Sequence, residues 1–262
     1  MSDLFSLAGK TALITGGSRG LGFAMARAYA KAGARVVLAA RDATRLDEAA
    51  SQIRAEGGDA HTLAFDLLDE HAVVAAVPRF LEQHGRLDIL LNNAGVVTWS
   101  GFLDSTLETW NDTIGVNLTA MYLLAREAAR PMVAQHWGRI INVGSYVSVI
   151  GRERLQAYAA SKHGVVGLTK SIAGELGRHN VTCNAIAPGF FLTEMAEPVR
   201  RDPARMRVFT DAIAMGRWGN PDELAGPAIF LASEAASYVN GHVLHVDGGV
   251  AGALSLPVAI SS

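Results

Sequence analysis

Residues 10–33 read KTALITGGSRGLGFAMARAYAKAG. The opening KTALIT is short, apolar and rich in β-formers, the signal of a strand. LGFAMARAYAKAG carries apolar residues at helical spacing and reads as a helix. Between them stand Gly16, Gly20 and Gly22, with a cation, Arg19, inside the turn. In such a strand–turn–helix unit the first glycine permits the tight turn. The second lets backbone approach a ligand, and the third lets the helix pack closely on the sheet. Ser18 and Leu21 complete the turn. Its N–H groups, at a helix start, favour an anion. The spacing is Gly-x-x-x-Gly-x-Gly rather than the commoner Gly-x-Gly-x-x-Gly.

The alternation continues along the chain. Strand-like runs occupy 11–15, 35–40, 61–66, 87–94, 138–145, 180–188 and 242–248. Helical patterns fill 20–32, 42–56, 69–84, 108–136 and 156–178. Near-continuous apolar strands separated by amphipathic helices predict a parallel sheet covered on both faces. The fold class expected is α/β: one Rossmann-type, doubly wound domain with a seven-stranded parallel sheet flanked by helices. No internal repeat, charge block or Pro/Ser-rich linker divides the chain, so residues 1–262 are read as one domain. The least regular stretch, 189–220, carries Arg200, Arg201, Arg205 and Arg207. An insertion at the carboxyl end of a strand is a candidate substrate lid.

Composition excludes several classes. The net charge of −2 gives no support to a nucleic-acid binder. A single cysteine, Cys183, rules out a disulfide framework and a thiolate zinc site, and its apolar strand places it in the core. The eight histidines are scattered, and His242 and His245 are spaced to face opposite sides of a strand, so no metal is expected. The segment MSDLFSLAGK lacks a signal-peptide pattern, and no apolar run reaches the roughly 18 residues of a membrane span. The expectation is a soluble cytoplasmic protein.

The second strand ends Ala39-Ala40-Arg41. NAD-binding sheets usually place an acidic residue there, to hold the ribose 2′-hydroxyl. Arg41 and Arg19 instead suit a bidentate clamp on a 2′-phosphate. The reading is NADP(H) in preference to NAD(H), with its pyrophosphate at the glycine turn. The cofactor half is about 1–150 and the catalytic and substrate part about 138–262.

Ser145 ends the fifth apolar run, and Tyr158-Ala-Ala-Ser-Lys162 follows. Residues four apart share a helix face. Free tyrosine, with a pKa of about 10, is a poor base near neutrality. A neighbouring ammonium favours its phenolate, and a hydroxyl such as Ser145 polarises a reacting oxygen.

Over nearly its whole length the chain resembles the short-chain dehydrogenase/reductase family. The resemblance rests on TGGSRGLG (15–22), Asp66, NNAG (92–95), Asn117 in GVNL, Ser145, YAASK (158–162), Pro188-Gly189 with Thr193, and VDGG (246–249). It implies that Tyr158 is the general acid/base. Lys162 would lower its pKa and bond the nicotinamide ribose, and Ser145 would orient the carbonyl or alcohol. Asn117 would hold a water of the proton relay. Asp66 and Leu67 would flank the adenine, and Asn92, Ala94 and Gly95 would line the cofactor cleft. Pro188, Gly189, Phe191 and Thr193 would position the nicotinamide carboxamide.

Within that family, SLAGKTALITGGSRGLGFAMARAYAKAGA, GRERLQAYAASKHG and RWGNPDELAGPAIFLASEAASYVNGHVLHVDGG look like gluconate 5-dehydrogenases. Arg152 and Arg154, just after the Ser145 segment, suit the carboxylate of a sugar acid held at Ser145 and Tyr158. The lid arginines offer a second source of cations. The alternative is a 3-oxoacyl-carrier-protein reductase, which would dock an acidic carrier on basic residues such as Arg130. Against it stands Gly174, where those reductases carry a second arginine. Other alcohol dehydrogenases stay open, as does a non-catalytic NADP-sensing protein. The resemblance also implies a homotetramer built on the helices of 108–136 and 156–178, with AGALSLPVAISS as a further apolar cover.

Overall fold

The computed structural model describes residues 4–253. The final segment proposed above as an apolar cover lies mostly outside them. Seven parallel strands form one sheet in the order β3-β2-β1-β4-β5-β6-β7. They are β1 (Thr11–Thr15), β2 (Arg35–Ala40), β3 (Asp59–Ala64), β4 (Ile89–Asn92), β5 (Gly138–Val143), β6 (Val181–Pro188) and β7 (Val243–Val246). The expected doubly wound sheet is present.

Alternation along each strand explains the two covered faces. Ala12 and Ile14 of β1, with Val36 and Leu38 of β2, pack beneath α1 (Gly20–Lys31), α2 (Ala43–Ala55) and α9 (Ala225–Ala232). Leu13, Val37 and Ala39 face the other way. They pack on α3 (Glu70–His84), α5 (Ala120–Ala134) and α6 (Gln156–Leu176). Cys183 is fully buried in that second layer, and burial pushes its thiol up to about 12. Each large apolar side chain so covered contributes roughly 1.5–3 kcal/mol by leaving water.

Two of the differences from the sequence pattern have a local cause. The third strand begins at Asp59 because it pairs in register with β2, where Arg35 meets Asp59 at 2.7 Å. The long helix expected over 108–136 is broken into α4 (Leu107–Ile114), a π-helical turn (Gly115–Thr119) and α5. Asn117 causes this locally. Its amide bonds both backbone groups of Val96, accepting from the N–H at 2.8 Å and donating to the oxygen at 2.9 Å. That tie holds the helix against the loop after β4.

After β6 come the short helices α7 (Glu197–Arg200) and α8 (Pro203–Asp211). Ala196, Ile213 and Trp218 form a small core there, with Phe190 and Phe209 against it. This segment therefore has a small core of its own. Among the described residues no helix is long and apolar enough to cross a membrane, and no cluster of three or more His, Cys, Asp or Glu side chains is arranged to hold a metal ion.

Candidate active site

Strand order reverses beside β1, whose neighbours are β2 and β4, and such a switch point opens a crevice at the carboxyl edge. The glycine turn lies there. Gly16 has φ +65°, and its N–H donates to Ala39 O at 2.7 Å. Asn93 Nδ2 clamps the turn by donating to Thr15 O at 3.0 Å and Gly16 O at 3.3 Å. A Cβ on Gly22 would stand 2.3 Å from Asn93 Nδ2 and from Gly16 O, so only glycine fits. Ser18, Leu21 and Leu67 are half-buried around the crevice.

The chemistry of this turn fits an anion. Side chains of Asp42, Asp69 and Thr106 cap α2, α3 and α4. By contrast, α1 has no side-chain cap and no acidic residue in its first turn. Its N-terminal N–H groups and partial positive charge face the crevice. Arg19 and Arg41 stand on either side, both exposed. Arg19 Nη1 lies 3.0 Å from Glu194 Oε2, and Arg41 Nη1 lies 3.6 Å from Asp66 Oδ2. Asp42 is engaged elsewhere. It caps α2 through the Arg45 N–H at 3.1 Å and pairs with the Arg45 guanidinium.

Four segments converge next to this turn. Ser145 follows β5 and is buried; its hydroxyl oxygen accepts from Val147 N–H at 3.4 Å, and the hydroxyl is a hydrogen-bond partner of the Tyr158 phenol. Tyr158 lies in the first turn of α6, and Lys162 one turn on. Lys162 Nζ donates to Val143 O at 2.7 Å. Ser161 Oγ donates to Tyr158 O at 2.7 Å and accepts from Asn117 Nδ2 at 3.2 Å. Asn117 therefore binds the π turn, the loop after β4 and α6 into one unit. Gly95 lies against this unit: a Cβ there would come 3.3 Å from Asn117 Oδ1 and 3.6 Å from the buried Lys162 Nζ.

The electrostatics correct one expectation. Burial, not Lys162, dominates the phenol: it pushes Tyr158 up to about 12, and the Ser145 hydrogen bond pulls the other way. Lys162 Nζ stands 5.6 Å from the phenol ring centroid and is bonded to Val143. Burial lowers the ammonium itself to about 8. The arrangement is a protonated phenol beside an ammonium whose proton burial loosens.

A hydroxyl, a phenol and an ammonium at the end of a Rossmann crevice match a known family. The family model described as enoyl-(acyl carrier protein) reductase, one of the short-chain dehydrogenase models, matches residues 16–251. The chain belongs to the short-chain dehydrogenase/reductase family. It is an oxidoreductase acting on CH–OH groups. The chain is 41% identical over 250 residues to a 5-keto-D-gluconate 5-reductase of Escherichia coli K12, covering 95% of this chain and 98% of that one. It is 42% identical over 252 residues to a gluconate 5-dehydrogenase of Gluconobacter oxydans, covering 95% and 97%. A gluconate 5-dehydrogenase of Burkholderia cenocepacia J2315, solved in complex with NADP and tartrate, superposes with a TM-score of 0.93 at 38% identity. That match covers 96% of this chain and 99% of the other.

Not every residue expected in this dehydrogenase's site points into it. The Asn92 side chain is buried beneath the crevice, where Nδ2 donates to Asn142 Oδ1 at 3.0 Å. The Phe191 ring packs against Gly219 in the core. Pro188 ends β6, buried, and Gly189 N–H donates to Val246 O at 3.0 Å. Thr193 lies across the mouth, its Cγ2 3.8 Å from where a Gly20 Cβ would stand. Asp66 Oδ1 accepts from Leu68 N–H at 3.1 Å. Ala94 N–H donates to Thr15 Oγ1 at 3.1 Å. Arg154 is exposed, with φ +62°, and its carbonyl accepts from Ser100 N–H. Arg200, Arg201, Arg205 and Arg207 pair with the neighbouring Glu197, Asp202 and Asp211.

Three participants escape the sequence reading: Asn93, which clamps the turn, Glu194 and Tyr146. For Asn93 the doubled Asn of NNAG was an available signal. The other two depend on contacts distant in sequence or on a loop.

Proposed function

We propose that this dehydrogenase interconverts a secondary alcohol of a sugar acid and its ketone, D-gluconate and 5-keto-D-gluconate, with NADP(H). One observation carries the reading: Ser145 hydroxyl, Tyr158 phenol and Lys162 ammonium meet beside an uncapped helix start flanked by two guanidiniums. The named relatives and the NADP complex of a structural neighbour support both the sugar acid and the phosphorylated cofactor.

The turn from Gly16 to Gly22 would take the pyrophosphate, and Arg19 and Arg41 the 2′-phosphate. Asp66 and Leu67 would face the adenine, and Ala94, Gly95, Gly189 and Thr193 the nicotinamide half. The bound nicotinamide supplies the hydride donor or acceptor. Tyr158 Oη gives its proton to the ketone oxygen in reduction and takes it from the alcohol in oxidation. Ser145 donates to the same oxygen as charge develops there. Asn117 fixes α6 through Ser161, which keeps Tyr158 in place. Residues 189–220 act as a lid over the substrate.

The carrier-protein alternative loses support, because Arg130 is paired with Glu127 and Gly174 faces open space. The non-catalytic alternative leaves the Ser145–Tyr158 pairing without a purpose. Purified protein mixed with NADP and D-gluconate should reduce the nicotinamide, followed by absorbance. No turnover with NADPH binding intact would remove the sugar acid and leave the oxidoreductase.

The same reading includes a homotetramer in the cytoplasm. Phe102, Leu103, Leu107 and Trp110 leave apolar surface exposed at α4, and light scattering that finds a monomer at micromolar concentration would overturn the assembly.

A further inference from the structure

Arg152 occupies the loop between the Ser145 segment and α6, half-buried. Its guanidinium carbon lies 4.7 Å from the Trp99 ring centroid, 4.7 Å from Phe209 and 5.9 Å from Phe190. These rings come from the loop after β4, the lid helix α8 and the end of β6. Nη1 donates to the Tyr146 hydroxyl. Among the described residues no carboxylate pairs with Arg152, while every arginine of α7 and α8 has one.

A half-buried cation without a counter-ion is costly, and ring faces repay only part of lost hydration. The guanidinium lies over ring faces rather than beside a carboxylate, and Tyr146 takes one donor of its five. A planar fork with donors to spare suits a carboxylate in bidentate fashion.

Tyr146 also links Arg152 to the chemistry. It directly follows Ser145 in the chain, and its ring packs on Phe190 with centroids 4.8 Å apart. Arg152 therefore stands on the Ser145 side of the crevice, bonded to that neighbour.

We propose that Arg152, set among the Trp99, Phe209 and Phe190 rings, is the specificity-determining residue that receives the carboxylate of a linear sugar acid. This rests on the sugar-acid reading above. Because Phe209 belongs to the lid helix, the same contact ties the acid to the lid.

The test compares wild type, Arg152→Gln and Arg152→Lys. Binding of D-gluconate and of D-sorbitol, a neutral polyol, to the NADPH-loaded enzyme is followed by tryptophan fluorescence, and kcat and KM are measured for D-gluconate. Arg152→Gln should weaken D-gluconate binding and raise its KM about 10- to 100-fold, the loss of a charge-assisted bidentate pair. D-sorbitol binding and the NADPH Kd should stay within about twofold of wild type. Arg152→Lys should recover part of the loss. Equal weakening of both ligands would make Arg152 a structural clip and overturn the inference. So would D-gluconate kinetics unchanged in Arg152→Gln. If that variant fails to fold, wild type decides: its affinity for D-gluconate, not for D-sorbitol, must fall with added salt. A wild type that turns over no sugar acid would instead sink the sugar-acid reading itself.

Discussion

Arg19 Nη1 and Glu194 Oε2 meet at 3.0 Å although the residues are 175 apart in sequence. The pair joins the glycine turn to the segment that follows β6, beside the Gly20–Thr193 approach. Arg19 is also one of the two cations proposed for the cofactor phosphate. Glu194 and that phosphate therefore compete for one guanidinium.

Replacing Glu194 by Gln removes the competitor. Since both side chains are exposed, the pair is weak, and NADPH should bind about two- to fivefold more tightly. NADH affinity should move less. Fluorescence titration checks both, and an Arg19→Met background should abolish the gain. Unchanged NADPH affinity in Glu194→Gln would refute the competition.

On the proposed cofactor reading, Arg41 should carry the larger part of cofactor choice, because among the described residues its ion-pair partner is Asp66, at 3.6 Å. Arg41→Ala should lower kcat/KM for NADPH about 10- to 100-fold and leave that for NADH nearly unchanged. Equal losses with both cofactors would show that the residue does not read the 2′-phosphate.

Burial keeps Tyr158 protonated well past neutrality. Reduction of the ketone, which consumes that proton, should run at full rate at neutral pH. Oxidation needs the phenolate, so its rate should climb with pH throughout the alkaline range. Tyr158→Phe should cost at least about 100-fold in kcat in both directions and preserve the NADPH Kd. An oxidation rate flat from pH 7 to 10 would contradict the assignment.

Lys162 gives a separate signature in stability. Its folded pKa of about 8 lies below the ordinary 10.5. Above pH 10.5 the amine is neutral in both states and imposes no penalty. As pH falls towards 8, the unfolded chain takes up a proton and the folded one does not, so stability is lost. Compared with Lys162→Met, wild type should lose about 3 kcal/mol across that window. Denaturant melts of both proteins at pH 7.5 and 10.5 measure the difference; parallel curves would mean the amine is not so perturbed.

The Gly22 position tolerates no side chain, since a Cβ would meet the carbonyl oxygen of Gly16 at 2.3 Å. Gly22→Ala should cost about 1–3 kcal/mol in stability and weaken NADPH binding together. A stable variant with normal binding would show that the turn yields easily.

Much of this was legible in residues 10–33, because strand, turn and helix obey local rules that survive folding. Asn117, Ser145, Tyr158 and Lys162 were also legible, through spacing and resemblance. What stayed hidden depends on neighbours that the fold supplies. Nothing near Tyr146 in sequence says that Phe190 will pack on it. The direction of the Tyr158 pKa required knowing how deeply it packs and that Lys162 is bonded to Val143. Asn92 shows the converse. Its motif predicts a cleft residue, but strand pleating turns its amide under the sheet, to Asn142.

The parallel sheet separates two decisions in space. Arg19, Arg41 and Asp66 follow β1, β2 and β3, whereas Ser145, Arg152 and Phe190 follow β5 and β6. The two groups follow strands on opposite sides of the β1–β4 switch point, and the exposed Arg19–Glu194 ion pair links the glycine turn to the segment after β6. On the proposed roles, a descendant that also adjusts this one weak pair could retool its electron carrier with little disturbance to the fuel it accepts. Recombination between relatives with a crossover near β4 would mix the two traits as interchangeable modules.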